Sequence, residues 1–461
     1  MDGSTMKKTL FRSGWVVTMD EAIGDIEHGE VLIEGDRIVA VGRALGASAD
    51  EVVDAPDMIV MPGLVNAHMH TWQAGLRGIG AQWPAGAYHR HVHGNMAMRY
   101  TAEDTYLGNL VGALNQIDNG VTTLFDWCHI LRDLPMAERA VDALEESGIR
   151  ALFGHGTAKP VPAPGEKHHS EVPHPRERVE ALRRGRLASD DRLVTLGMAV
   201  LGPEISTAEV CLADYRLARE FGLVSTCHVS YPSGQRVQEN GWPALAAAGL
   251  LGPDHNICHG NALSDADLGF ILDHGVTVTP TVMLELQAKA DPPLTVRARD
   301  RGAVISLGID TEPLCSGDMF SEMRSTWMHY RHYTNIARAA AGKPLGEIAV
   351  TAREVLYWAT MGGAKVMRLD HRIGSLTPGK KADLVLLDAG DLDLFPVFDP
   401  VVSIVGYASG GHVDSVYIDG IARKRGGKLT FPKEVLQARK RDLTEATARV
   451  MKEAGLSLPI G

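Results

Sequence analysis

The sequence predicts an α/β fold: a (β/α)8 TIM barrel, with a small β-sandwich domain formed from both ends of the chain. Three observations predict it. From residue 58 onward, short apolar runs alternate with helix-length stretches, the pattern of a parallel sheet with crossover helices. Eight such runs can be counted, at Ile59, Val121, Arg150, Leu193, Leu223, His255, Val276 and Ala303, the number a closed barrel needs. On either side lie short strands and turns with too few apolar residues to stand alone, so the two ends are expected to complete each other. Residues 1–60 and 369–430 are assigned to the sandwich, 61–368 to the barrel and 431–461 to a C-terminal helix.

Taken in order, strands are expected at residues 9–19, 30–34 and 37–42, the last two joined by the hairpin signal Gly35-Asp36. The first barrel strand is read from Met58 through Pro62-Gly63 into His68-Met69-His70. Thr101 with Asp104 three residues on opens a helix that Gly120 ends. A strand at 121–127, a helix at 134–147 and a strand at 150–156 follow. Residues 159–176 (KPVPAPGEKHHSEVPHPR) break the alternation and read as an active-site lid or a flexible segment. Strands then fall at 193–201, 223–229, 255–260, 276–282 and 303–309, with helices at 207–221, 242–248 and 264–274. Long helices are expected at 319–341 and 351–365, strands at 381–387, 401–405 and 413–418, and a charged final helix at 432–454 that packs on the barrel or on a subunit partner.

Bulk properties narrow the function. A net charge of −11 argues against nucleic acid or an anionic membrane surface as the main partner. Five widely spaced cysteines without a C-x-x-C do not make a disulfide framework. The N-terminus carries no signal-peptide pattern and no run of 18 apolar residues occurs. A cytoplasmic location and a small-molecule substrate are the expectation.

In a barrel of this kind chemistry stands at the C-terminal strand ends. The first strand ends in His68 and His70, spaced so that both imidazoles share one face. On its own, an H-x-H is more often an exposed pair at a strand end. The fifth strand ends in Cys227-His228, the sixth in Cys258-His259 and the eighth in Ile309-Asp310. Packing does not explain four histidines and one aspartate at the same end of four strands. A metal site does.

The chain resembles the amidohydrolase superfamily, in the branch of cytosine deaminase, adenosylhomocysteine deaminase and the triazine hydrolases. The resemblance spans nearly the whole length and rests on PGLVNAHMHTWQAGLRG (62–78), NGVTTLFD (119–126), His228, His259, LGID (307–310) and GSLTPGKKADLVLLD (374–388). It implies that His68, His70, His228 and Asp310 bind one divalent ion, most simply Zn2+, with Fe2+ or Co2+ as alternatives. It implies that His259 polarises the attacked group and that Asp310 relays a proton. The ion would lower the pKa of a water toward neutrality. The fourth strand (LVTLGMAVLGPE) has no lysine for a bridged two-metal site, so one metal is expected. A homodimer or higher homo-oligomer is suggested by the resemblance alone.

One departure matters. Deaminases of this branch carry H-x-x-E after the fifth strand, and the glutamate protonates a ring nitrogen. Here the segment is His228-Val229-Ser230-Tyr231, and an ordinary tyrosine is a poor relay at neutral pH. A carbonyl substrate needs no ring protonation. The expectation is therefore a hydrolase of a non-peptide C–N bond of amide, urea or carbamate type. The alternative is an aminohydrolase of an aminated N-heterocycle, with Glu204 supplying the missing acid. A non-catalytic barrel scaffold is a third class, disfavoured because all four ligands are retained. Gln73, Trp83, Glu204, Tyr231 and Met283 are the candidate substrate contacts; Trp72 and Glu285 stand at similar positions. His89, His91, His93, His168 and His169 read as solvated loop histidines.

Overall fold

A computed structural model describes residues 6–84 and 86–457. Sixteen strands follow one another along the described chain. The first five are β1 (Lys8–Val16), β2 (Ile26–Glu27), β3 (Glu30–Glu34), β4 (Arg37–Gly42) and β5 (Glu51–Pro62). Seven more carry the middle of the chain: β6 (Leu64–Met69), β7 (Val121–Cys128), β8 (Arg150–His155), β9 (Val194–Ala199), β10 (Ser225–Val229), β11 (His255–His259) and β12 (Thr277–Thr279). The last four are β13 (Leu384–Asp388), β14 (Val413–Ile418), β15 (Ile421–Arg425) and β16 (Lys428–Leu429).

The chain ends share one nine-stranded sheet in the order β16-β15-β14-β13-β5-β1-β3-β4, with β2 on β1. Strand β5 joins the two ends of the chain, pairing parallel to β1 and antiparallel to β13. In a flat sheet β14 and β1 would lie roughly 14 Å apart, three strand spacings. Yet the Phe11 and Tyr417 rings, one on each, meet edge-to-face at 5.0 Å between centroids. The sheet therefore folds over on itself, and the layered core includes Phe11, Val31, Ile33, Val60, Leu384 and Leu386, all buried. One continuous ladder makes the sandwich.

The middle strands form a parallel sheet in the order β12-β11-β10-β9-β8-β7-β6. Its two edges are joined by the segment 303–310. Ser306 and Val278 are linked at 2.9 Å on one side, and Ala67 and Leu307 at 3.0 Å on the other. Asp310 N–H donates to the His68 carbonyl (2.9 Å) and His70 N–H to the Asp310 carbonyl (2.8 Å). The eighth position is thus hydrogen-bonded into the ring, and a (β/α)8 barrel results. Gly308 makes this closure feasible: a Cβ there would lie 2.7 Å from the His68 Cβ, too close for any side chain.

Three expectations are corrected. The apolar run at Ile59 belongs to β5 of the nine-stranded sheet, and the barrel opens at Leu64, past Gly63. Gly63 permits this switch, because a Cβ would sit 2.0 Å from Thr122 Oγ1. Residues 401–405 are helical, within Pro400–Gly406. Asp399 caps that helix by accepting from the N–H groups of Val401 and Val402, and Pro400 takes the first turn, where its missing N–H costs nothing. Finally, the 159–176 stretch leads into a helix, Arg176–Arg184, and the buried His174 within it lies 2.8 Å, nitrogen to nitrogen, from His155.

The final helix, Lys433–Glu453, packs on the barrel. Arg449 pairs with Asp104, and Thr447 Oγ1 reaches the Gly75 carbonyl at 3.3 Å. Among the described residues no helix is long and apolar enough to cross a membrane.

Candidate active site

The barrel brings the imidazoles of His68, His70 and His228 together with the carboxylate of Asp310, one ligand atom from each lying within 4.8 Å of the others. Nε2 of His68 stands 3.1 Å from Asp310 Oδ1, and Nε2 of His70 stands 3.0 Å from the same oxygen. The other ring nitrogens are occupied elsewhere. Nδ1 of His70 donates to the Trp127 carbonyl (3.0 Å), and Nδ1 of His68 faces the Cys258 sulfur (3.2 Å). The Trp127 carbonyl only accepts, so a neutral His70 carries its proton on Nδ1 and turns the Nε2 lone pair toward the cluster, the arrangement that metal-ligating histidines need. His228 is oriented by stacking on Trp127, at 3.8 Å between centroids.

Burial sets the charge states. It pulls the His68 imidazole down to about 4 and His228 well below its ordinary value, so both remain neutral donors at pH 7. Burial also resists ionisation of Asp310, but the imidazoles of His68, His70 and His259 around it outweigh that and hold the carboxyl well below the usual range. Three imidazoles and one carboxylate make a site that fits a divalent ion such as zinc, and the donor set is complete without a bridging group.

His259 lies beside this cluster. Its Nδ1 is 3.2 Å from Glu285 Oε1 and 3.1 Å from Thr281 Oγ1, and its Nε2 is 3.9 Å from Asp310 Oδ2. A carboxylate only accepts, so Nδ1 carries a proton and donates to Glu285. His259 and Asp310 both have a φ of 68°, left-handed conformations that cost a non-glycine residue about 1 kcal/mol each. Seven described non-glycine residues share that sign, and two of them are the groups expected to move protons. The ladder hydrogen bonds of Asp310 hold its share of this strain in place.

The candidate substrate contacts fall in different places. Gln73 is fully buried, and its amide is engaged by Tyr88 (2.8 Å) and Thr311 rather than facing the mouth. Trp83 is half-buried with its ring 5.4 Å from His91. Met283 is half-buried in the first turn of the helix Val282–Ala288. Tyr231 is 39 % exposed. Glu204 is 2 % exposed: Oε2 accepts from the N–H groups of Ser230 (2.8 Å) and Tyr231 (2.9 Å), while Oε1 lies 3.2 Å from Arg236 Nε and accepts no hydrogen bond. Its carboxylate braces the loop after His228.

Sequence reasoning missed Trp127, His129 and Lys159, and left Glu285 without a role. His129 stacks on the candidate ligand His70 at 3.9 Å and 13°, and accepts from Trp72 Nε1 at 3.1 Å. His93, expected in a solvated loop, is buried against His129 at 4.5 Å between centroids. The available signal was Trp-Cys-His at the end of β7, a strand end like those that carry the ligands.

The amidohydrolase family model matches residues 59–422. A 5'-deoxyadenosine deaminase of Methanosarcina mazei is 29% identical over 430 residues, covering 90% of this chain and 92% of that protein. Among solved structures, an adenosine deaminase from Xanthomonas campestris with bound zinc superposes with a TM-score of 0.80 at 22% identity, covering 96% of this chain and 98% of that one. The zinc complex of atrazine chlorohydrolase from Arthrobacter aurescens gives 0.81 at 19% identity, covering 95% and 100%. Fold and ligand set define a metal-dependent barrel hydrolase. The chain belongs to the amidohydrolase family, and it is an enzyme that hydrolyses carbon–nitrogen bonds other than peptide bonds.

Proposed function

We propose that this site cleaves a carbonyl C–N bond of a small molecule, of the amide, urea or carbamate type, with Zn2+ as the resident ion. The observation that carries the reading is the commitment of Glu204. At the loop where related deaminases place an acid, Tyr231 stands exposed, and the buried Glu204 holds two backbone N–H groups at Oε2 with Arg236 beside Oε1. A carbonyl carbon accepts a nucleophile without protonation of a ring. When bound, the ion supplies Lewis-acid activation of water. Asp310 then takes the proton of the attacking water and passes it to the departing nitrogen. His259, anchored at Nδ1 by Glu285, keeps its imidazole beside Asp310, where it can meet charge growing on the attacked oxygen.

A second reading, deamination of an aminated N-heterocycle, is favoured by the deaminase relative that matches 90% of the chain. An assay of ammonia and amine release from simple ureas, amides, 5'-deoxyadenosine and aminotriazines separates the two. Turnover of a urea or amide supports the first reading; ammonia from the heterocycles alone replaces it with the second. Five free cysteines, four of them buried, fit a cytoplasmic enzyme.

A further inference from the structure

Barrel interiors are filled mostly by branched apolar side chains, yet Thr226, Asn256, Cys258 and Thr279 are polar and fully buried in this one. Cys258 of β11 brings its sulfur to 3.2 Å from Nδ1 of the candidate ligand His68, on a strand that is not its neighbour in the sheet. Consecutive strand residues point to opposite faces. Cys258 nevertheless reaches His68 while His259, next along the chain, reaches Asp310. The φ of 68° at His259 breaks the alternation. A hydrogen-bond network holds the sulfur from behind. Asn256 Oδ1 accepts from Thr277 Oγ1 and Thr279 Oγ1, both at 3.1 Å. That turns Nδ2 of Asn256 toward Thr226 Oγ1 (3.2 Å) and Cys258 Sγ (3.6 Å). Thr226 Oγ1 lies 3.4 Å from the sulfur, within reach of the one thiol proton.

A neutral His68 has two tautomers. With its proton on Nε2 it donates to Asp310 Oδ1, 3.1 Å away. Holding an ion through Nε2 uses the lone pair there, so the proton then stands on Nδ1 and needs an acceptor. Metal-binding imidazoles usually give this second N–H to a carboxylate, a carbonyl or water. A thiol sulfur is a weaker acceptor than these, but a buried N–H with none costs more than a weak bond gains. We propose that Cys258 is a positioning residue for the metal: its sulfur accepts the Nδ1 proton of His68 in the ion-loaded enzyme and keeps Nε2 of that ring toward the ion. This rests on the metal-site reading above. The sulfur is needed as an acceptor only on loading, because the unloaded ring can keep its proton toward Asp310.

The test is competition for Zn2+ between a chromophoric chelator and the enzyme, in the wild type and three variants. Affinity is the readout, so the identity of the substrate does not bear on it. Cys258→Ala removes the acceptor and is expected to weaken Zn2+ binding roughly ten- to a hundred-fold. Cys258→Ser keeps an acceptor while giving up volume, and should stay within about three-fold of the wild type. Cys258→Val fills the volume without an acceptor and should bind as weakly as Cys258→Ala. A residue that only packs would give the opposite order, with Val tighter than Ser. If Cys258→Val does not fold, the comparison of Ala with Ser decides. The inference is overturned if Cys258→Ala binds Zn2+ as tightly as the wild type, or if Cys258→Ser binds no tighter than Cys258→Ala. A wild-type enzyme that takes up no stoichiometric ion overturns the metal-site reading and this inference together.

Discussion

Two glutamates are buried in segments that follow barrel strands, and they serve opposite ends. Glu285, with no exposed surface, points Oε1 at His259 Nδ1 and at the N–H of Thr281 (2.8 Å). Glu204, 2 % exposed, ties down the loop after His228 through Oε2. The same side chain at similar depth orients a proton-transfer histidine in one case and holds up a loop in the other. What differs is the partner. Glu285 meets a titratable ring that also faces Asp310, whereas Glu204 meets the guanidinium of Arg236, whose side chain is 3 % exposed. Burial of an acid therefore does not by itself mark it as catalytic; its partners decide.

Substitutions can break or sharpen this contrast. The largest effect is expected where both carboxylate functions meet, at Asp310. Asp310→Asn should lower kcat by about a thousand-fold or more, and His68→Ala should abolish stoichiometric metal, read by elemental analysis. Glu285→Gln should lower kcat by about ten- to a hundred-fold with metal content retained, since the amide still accepts from His259 but no longer offers a charge. Glu204→Ala should do the reverse: urea unfolding should show a loss of about 2 kcal/mol, because two backbone N–H groups lose their acceptor and Arg236 keeps only Asp267 as an ion-pair partner, while kcat of the folded fraction stays close to that of the parent. A loss of activity without loss of stability in Glu204→Ala would return that residue to the substrate pocket.

A milder test uses pH. Burial holds His68 at about 4 rather than near its ordinary 6.5, so protons begin to compete for this ligand only well below pH 6. Dialysis at pH 5.5 should therefore leave the metal bound, and its release there would show a looser site. The smallest effect belongs to Tyr231→Phe, expected to change kcat/KM on a carbonyl substrate by less than about two-fold, since the phenol lies on the exposed side.

The reach of the sequence can be judged from particular residues. His68, His70, His228 and Asp310 were legible because each ends an apolar run, and strand ends at one side of a barrel converge by topology alone. The run at Ile59 misled for the same reason: it is a genuine strand, but Gly63 lets the chain leave one sheet and enter another within two residues. Residues 401–405 also misled, since a short β-branched run has no period that separates strand from buried helix. Asp399-Pro400 carried the correct signal, a capping residue followed by proline.

The sequence by itself determined the barrel, the sheet shared by the two chain ends, and the four residues that gather as the candidate ligand set. Each follows from local patterning, which is written in neighbours along the chain. Only the tertiary structure decided the partners. Trp127 orients His70 and His228, Trp72 sets the tautomer of His129, and Glu204 is committed to Arg236 while Glu285 is given to His259. These pairings join residues distant in sequence, or turn on which way a side chain faces. A hydrogen bond exists only where the folded chain places donor and acceptor within about 3 Å.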